Sequence, residues 1–371
     1  MKEIPEKLHK EKPPAALRHM DLVFDNGYGG FSEDGKEYVI TMRQGITPMP
    51  WVNVMANPSF GTMVSETGSG FTWYGNSQRN RLTGWSNDPV SDPTDEAIYI
   101  RDEESGQFWT PTLLPIPGDG PYRVRHGSGY TIFERNSHGI EQELTVLVPM
   151  DFEGGDPVRI QRLKLRNDSG RRRQLSVTFF LEWVLGDHRE NTQMHIVTSW
   201  DKIARTMTAR NRYHPEYSER VAFATVMPHP DSCTGDRTEF IGRNRGPASP
   251  EAMRRVSLSG HTGAALDPCS AIQTLVEIEP GQSTDVICLL GQAADEKEVR
   301  SIISKYGHGM AVRETLETTR QWWDKAVGRL EVATPVKAVN ILLNRWLTCQ
   351  TLSCRLWGRS AFYQSGGAFG F

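Results

Sequence analysis

No apolar run in this chain approaches the roughly 18 residues that a membrane-spanning helix needs, and the mean hydropathy of −0.50 agrees with that lack. Charge excess is missing too. Lys and Arg number 42 against 45 Asp and Glu, a net charge of −3 at pH 7, and the pI is near 6.4. Without a general basic field, nucleic acid is excluded as the expected partner. Cysteine is scarce, 5 in 371 residues, and no two form a CxxC pair. Neither a disulfide framework nor a zinc site is indicated, and reduced, buried thiols in a cytoplasmic protein are the simplest account. The histidines His126, His138, His188 and His195 lack a metal spacing, and Asp187-His188-Arg189-Glu190 is not the HExxH pattern. The opening MKEIPEKLHKEKPPAALRHM has no apolar centre, so it is no secretory signal; it reads as an arm or linker over residues 1–20.

What the chain has is turns: 34 Gly and 22 Pro, as an antiparallel all-β chain requires. Residues 21–40 read as strand, turn and strand. Asn26-Gly27 and Gly29-Gly30 are expected to supply positive φ, and Asp34-Gly35 a hairpin turn. No Lys-Ser/Thr follows these glycines, so they do not make a phosphate loop. Thr47 to Gly61 carries Pro48, Pro50 and Pro58 and is expected to be irregular or an edge strand. Tyr122 to Val148 reads as two strands around Asn136-Ser137-His138-Gly139. The clearest strand runs from Leu175 to Trp183. Leu175, Val177, Phe179, Leu181 and Trp183 sit at period two, with Ser176, Thr178, Phe180 and Glu182 on the other face. Further strands are expected at 196–200, 207–210, 221–226, 238–242, 271–278 and 284–291.

The period then changes. Asp295 with Glu298 makes a capping box. A helix should run to about Tyr306, stopped by Gly307 and Gly309, and a second from about Met310 to Val327. A third opens at Pro335, with an apolar stripe of Val336, Val339, Leu342, Leu343, Trp346 and Leu347 that extends toward Trp357.

One stretch stands apart. Phe71 to Thr110 crowds Trp73, Tyr74, Trp85, Tyr99 and Trp109 among Arg, Asp, Asn and Glu. It reads as too polar and too punctuated for a core element, yet too aromatic for a plain linker. Aromatic faces beside planar amide, carboxylate and guanidinium groups suit a sugar. The same aromatics would equally staple a long ordered loop onto a β-sandwich. Arg81, Trp85, Asn87 and Asp88 are the substrate-binding candidates in this stretch. Carboxylate pairs are available in Asp88/Asp92 and Glu103/Glu104, and Asp88 and Asp92 are read as loop-fixing or substrate-contacting groups, since Asp88-Pro89 and Asp92-Pro93 are turn dipeptides in any setting.

NSQRNRLTGWSNDPVSDPTDEAIYIRDEESGQFWTPTLLPI within and after that stretch resembles the N-terminal sandwich of the phosphorylase-like module of cyclic β-1,2-glucan synthases. That module belongs with the cellobiose phosphorylase group, family 94 of the glycoside hydrolases. NGYGGFSEDGKEYVI, TPMPWVNVMANPSFG, GDRTEFIGRN and NRWLTCQTLSCRLWGRSAFYQSGGAFGF resemble the same module, so the likeness covers roughly residues 20–371. It implies a large antiparallel, galactose-mutarotase-like supersandwich over 21–293, a helical linker over 294–330, and over 331–371 the start of a truncated (α/α)6 catalytic barrel. It also implies that the catalytic acid and the phosphate site lie in the barrel beyond this chain, which by itself should be catalytically silent. RSAFYQSGGAFGF resembles the loop that contributes to the donor-sugar subsite, making Arg359, Tyr363, Gln364, Gly366 and Gly367 further substrate-binding candidates. Gly366-Gly367-Ala368 stands where cellobiose phosphorylases place an Arg, which weighs against cellobiose phosphorylase activity. The expected ligand is a β-glucan oligosaccharide. No cofactor is implied, and inorganic phosphate is a co-substrate of the parent enzyme. The remainder of the parent polypeptide and a second copy in a homodimer are the expected partners, and tethering to the inner membrane would come through the parent. The rival expectation is a non-catalytic module that binds glucan or assembles a dimer.

Overall fold

The computed structural model describes residues 13–42 and 46–358. Nineteen strands run in chain order. The first group is β1 (Gly29–Phe31), β2 (Glu37–Ile40), β3 (Val52–Ala56), β4 (Phe60–Ser65), β5 (Gly70–Tyr74) and β6 (Arg81–Thr83). Next come β7 (Glu96–Asp102), β8 (Phe108–Trp109), β9 (Tyr122–Gly127), β10 (Tyr130–Ser137), β11 (Ile140–Leu147), β12 (Val158–Asn167) and β13 (Arg173–Gly186). The rest are β14 (Ile196–Asp201), β15 (Thr206–Asn211), β16 (Val221–Met227), β17 (Ser232–Asp236), β18 (Pro268–Ile278) and β19 (Ser283–Ala293). A ten-stranded sheet has the order β1-β2-β9-β10-β11-β12-β19-β16-β15-β14. A nine-stranded sheet has the order β17-β18-β13-β6-β5-β4-β3, with β7 pairing β13 and β8. Every pairing in both sheets is antiparallel, as between β12 and β19 or β13 and β18.

The period-two reading of β13 explains the layers. Leu175, Val177, Phe179, Leu181 and Trp183 point into the main core between the sheets, where they meet Leu144, Leu163, Leu165 and Val286. Burying each such side chain contributes about 1.5–3 kcal/mol. Phe180, on the other face of β13, packs with Tyr99, Phe240 and Met253 in a second cluster. The nine-stranded sheet is therefore covered on both sides, and its outer face needs a polar lining only between the patches that cover it.

Four expectations are corrected. The stretch from Phe71 to Thr110 reads as too polar for a core, yet it supplies β6, β7, β8 and most of β5. Phe71, Trp73, Tyr99 and Trp109 are buried. Its polar residues are absorbed locally: Arg101 pairs with Glu103 and donates to the carbonyl of Met253 at 3.1 Å. Tyr122 to Val148 holds three strands, because two-residue turns at Ser128-Gly129 and His138-Gly139 each reverse the chain. His138 and Gly139 both take positive φ, 55° and 67°, which matches the mirror-image turn that hairpins favour. Residues 238–242 are not a strand. Asp236 accepts from the backbone N–H of Thr238 at 2.9 Å and caps a short helix, α2 (Arg237–Ile241), which comes after the single turn α1 (Arg189–Thr192), and the strand is β17 just before it. Finally, Gly29 and Gly30 are extended members of β1, not positive-φ turns. A Cβ on Gly30 would meet the Val23 carbonyl at 2.9 Å, so close packing is what demands glycine there.

The Asp295 cap is present, and the return bond of the expected box goes one residue earlier, to Ala294 rather than to Asp295. Asp295 accepts from Glu298 N–H at 2.9 Å, and Glu298 accepts in turn from Ala294 N–H at 2.6 Å. It opens α3 (Glu296–Tyr306), followed by α4 (Gly309–Val327). Val299, Ile302, Ile303, Tyr306 and Val312 of these helices cover the outer face of the ten-stranded sheet over Ile160, Phe223 and Leu289. A last helical run spans 337–357. It docks through Trp346, whose Nε1 donates to the Gly35 carbonyl at 2.9 Å, and through Cys349 and Trp357, which join Trp323 of α4. Its stripe of Val336, Val339, Leu342, Leu343 and Leu347 is left exposed.

Candidate functional site

β6 is only three residues long, and its position decides where the candidate residues fall. Trp73 pairs with Arg81 across β5 and β6, and Gly186 pairs with Arg81 on the other side. Arg81 therefore lies on the outer face of the nine-stranded sheet beside Phe71, with its guanidinium 5.6 Å from that ring's centre. Its Nε donates to the Ser77 carbonyl at 3.3 Å. Burial lowers its pKa, and the nearby charge of Asp187 acts in the opposite sense.

Trp85 follows one turn later. It is half-buried, 5.8 Å from Phe71 ring to ring, in a small cluster with Met63, Trp73 and Trp357. Trp357 comes from the last helical run, so that run closes against the Trp85 corner. Ser77 completes the junction: its hydroxyl donates to the carbonyl of Gly358. Ser77 thus touches Arg81 through its carbonyl and Gly358 through its hydroxyl. The structure brings Arg81 and Trp85 together and brings the chain at Gly358 to the same corner. Arg359, Tyr363, Gln364, Gly366 and Gly367 lie outside the described residues.

Asn87 and Asp88 are not part of this corner. Both are exposed. Asp88 caps its own turn, accepting from Val90 N–H at 3.0 Å, and the hydrogen bond from the Ser91 hydroxyl heads the reasons its carboxyl is held below the usual carboxylate range. Asp92 ties the loop down, accepting from Ser65 Oγ at 2.8 Å and Thr67 Oγ1 at 2.5 Å. Glu103 and Glu104 are engaged by Arg101 and Arg171. These carboxylates fix loops.

Sequence reasoning missed a second polar group on the same outer face. Glu182, opposite the core side of β13, forms ion pairs with Arg189 at 3.1 Å and Arg237 at 2.5 Å. Asp267 holds the far ends of both guanidiniums. Asp95 accepts the Glu182 backbone N–H on its carbonyl at 2.9 Å. Two carboxylates thus share two arginines, and the Asp95 carboxyl feels the charges of all of them but Asp267. Burial, then the neighbouring Glu182, pushes the Asp95 carboxyl up to about 7. A Cβ on Gly84 would overlap the Asp95 carboxylate, which is why glycine precedes Trp85 here. The only signal in the sequence was Glu182 on the non-core side of β13; Arg189 follows that strand directly, and Asp95, Arg237 and Asp267 come from three distant segments.

Among the described residues no group of three or more His, Cys, Asp or Glu is placed to hold a metal ion, and no helix is long and apolar enough to cross a membrane. His126 is buried, its Nε2–H donates to the Trp51 carbonyl at 3.1 Å, its Nδ1 lies 3.0 Å from Thr131 Oγ1, and burial lowers its pKa to about 4.

The glycosyl hydrolase 94 supersandwich domain model matches residues 36–309, and the glycosyl hydrolase 94 superfamily catalytic domain model matches residues 322–371. The chain is similar to the cyclic beta-(1,2)-glucan synthase NdvB of Rhizobium meliloti (strain 1021), at 38% identity over 354 residues, covering 95% of this chain and 12% of that protein. It is 26% identical over 352 residues to the N,N'-diacetylchitobiose phosphorylase of Vibrio furnissii, covering 92% of this chain and 43% of the relative. It is 28% identical over 343 residues to the solabiose phosphorylase of Paenibacillus borealis, covering 90% and 44%. The chain spans less than half the length of each of these relatives. With a supersandwich match over most of its length and two large antiparallel sheets to correspond, this chain belongs to glycosyl hydrolase family 94.

Proposed function

We propose that this chain is the carbohydrate-facing supersandwich portion of a β-glucan synthase or phosphorylase, and that the corner formed by Arg81 and Trp85 carries part of the sugar surface. The relatives' names point to glucan synthesis or disaccharide phosphorolysis in those proteins. The observation that carries the reading here is the corner itself. A half-buried indole stands beside a guanidinium laid over an aromatic ring, and the chain at Gly358 meets it through Ser77. An indole face stacks on the C–H face of a pyranose, and a guanidinium donates directional hydrogen bonds to its hydroxyls. In this reading the sandwich positions ligand and supplies no catalytic carboxyl, because Asp88, Asp92, Glu103 and Glu104 are committed to turns and ion pairs. The parent enzyme would act on β-1,2-glucan with inorganic phosphate as co-substrate. Five cysteines, four of them buried, suit a reducing, cytoplasmic setting.

A second reading is assembly. The exposed Val336, Val339, Leu342, Leu343 and Leu347 line one side of the last helical run, and such a stripe marks a contact surface. The remainder of the parent polypeptide or a second copy would cover it.

Calorimetric titration of this chain with β-1,2-linked glucan oligosaccharides, with cellobiose as control, tests the first reading. Selective binding that weakens in Trp85→Ala supports it. No binding by a folded sample would place recognition elsewhere in the parent and leave the sandwich as scaffold.

A further inference from the structure

The main core between the sheets holds an ion pair. Arg159 of β12, in the ten-stranded sheet, meets Glu96 at the start of β7, in the nine-stranded sheet. Their exposures are 2% and 9%. Neighbours from both sheets hold the pair. Arg159 Nη1 donates to Thr72 Oγ1 at 2.8 Å and Nη2 to Gln161 Oε1 at 3.2 Å, while the Thr83 hydroxyl donates to Glu96. The guanidinium carbon lies 6.0 Å from the centre of the Phe179 ring. One donor is left over: among the described residues the buried Nε has no acceptor. A buried N–H without a partner is costly, and more so on a charged group.

Several other arginines have a buried Nε in that condition. Arg159 differs in lining a cavity. Leu144, Val146 and Phe179 are on its apolar wall, and Arg159, Glu96 and Gln161 on its polar one. About 20 Å³ of it is open to the centre of a water molecule, and one water needs roughly 10–15 Å³. Cavities walled by hydrocarbon alone stay dry, whereas one that offers several polar partners binds water. The space is too small for a sugar. A bound ion would add an uncompensated charge beside a pair that is already neutral. Water fits on both counts, and it can accept from Nε–H while donating to a carboxylate oxygen.

We propose that this cavity is a buried water site, in which an ordered water accepts from Arg159 Nε–H and donates to the Glu96 carboxylate. The water completes a polar tie between the two sheets. Hydrogen bonds are directional, so this tie tolerates less sliding of one sheet over the other than apolar contact does. The inference stands apart from the sugar-surface reading and needs no ligand at the Trp85 corner.

The test is a high-resolution crystal structure of the full chain, joined to NMR in solution. An ordered water within about 3.2 Å of Arg159 Nε is expected, and the Nε–H proton should show cross-relaxation with long-lived water. Arg159→Lys keeps a charge opposite Glu96 and removes Nε–H, which assigns that proton. Val146→Ile adds a methyl group at the cavity wall, and both the ordered water and the cross-relaxation should be lost. A wild-type crystal with no ordered density beside Nε overturns the proposal, as does one in which Nε has a protein acceptor and the cavity is closed. Density that proves to be an ion or a buffer molecule overturns it too. So does cross-relaxation that survives in Val146→Ile when the crystal of that variant shows the cavity filled. The wild-type crystal decides alone if either variant fails to fold.

Discussion

Ser77 donates its hydroxyl proton to the carbonyl of Gly358 across 281 positions of sequence. That bond fastens the end of the last helical run to the turn that precedes β6, and Ser77 is buried where it is made. Ser77→Ala would leave the Gly358 carbonyl without this donor. The expected cost is about 1 kcal/mol, the usual net worth of one intramolecular hydrogen bond. Urea unfolding should show it as a lowered midpoint, with hydrogen exchange rising in 351–358. An unchanged midpoint and exchange pattern would mean the junction is held by Trp357 packing alone.

Trp85→Ala separates the two roles assigned to the aromatic loop. If the indole stacks on sugar, glucan binding should weaken by about 1 kcal/mol or more, beyond the loss of its contact with Phe71. Calorimetry reads the first effect and Tm the second. A lowered Tm with unaltered glucan affinity would leave Trp85 as a staple.

Asp95 sets a pH dependence whose sign can be worked out. Its carboxyl is raised by burial and Glu182 from 3.8 to about 7 in the folded chain. The folded state therefore binds the proton more tightly than the unfolded state. Asp95's contribution is fully present below pH 3.8, declines as pH rises to about 7, and is flat above. His126 acts oppositely: its pKa is lowered by burial to about 4, so its contribution is lost as pH falls from 6.5 toward that value. The comparison that isolates Asp95 is the Tm difference between Asp95→Asn and wild type. It should grow in favour of the variant between pH 4 and 7. A constant difference across that range would mean that Asp95 titrates normally.

The exposed stripe predicts a separable surface. Leu343→Gln with Leu347→Gln should change Tm little, since both side chains are exposed in the folded chain. Self-association in analytical ultracentrifugation should fall, because the contiguous apolar face is broken. A large stability loss would show that the stripe is packed against something within the folded chain.

Much of this protein follows from local pattern. The period of two in Leu175–Trp183 determines β13 and its two faces, because strand side chains alternate whatever the tertiary context. Asp295 with Glu298 determines where α3 begins, and Pro48, Pro50 and Pro58 agree with β3 as an edge of the nine-stranded sheet. These features depend on neighbours a few residues apart. Tertiary structure alone decided the rest. It turned Phe71–Thr110 from a polar loop into strands, since Arg101 and its like lose their cost only when Glu103 and distant carbonyls are brought to them. It gathered Asp95, Glu182, Arg189, Arg237 and Asp267, and it laid the Arg81 guanidinium over the Phe71 ring. Charge pairing and burial are long-range properties: they depend on which strands lie side by side, and no local run of residues encodes that.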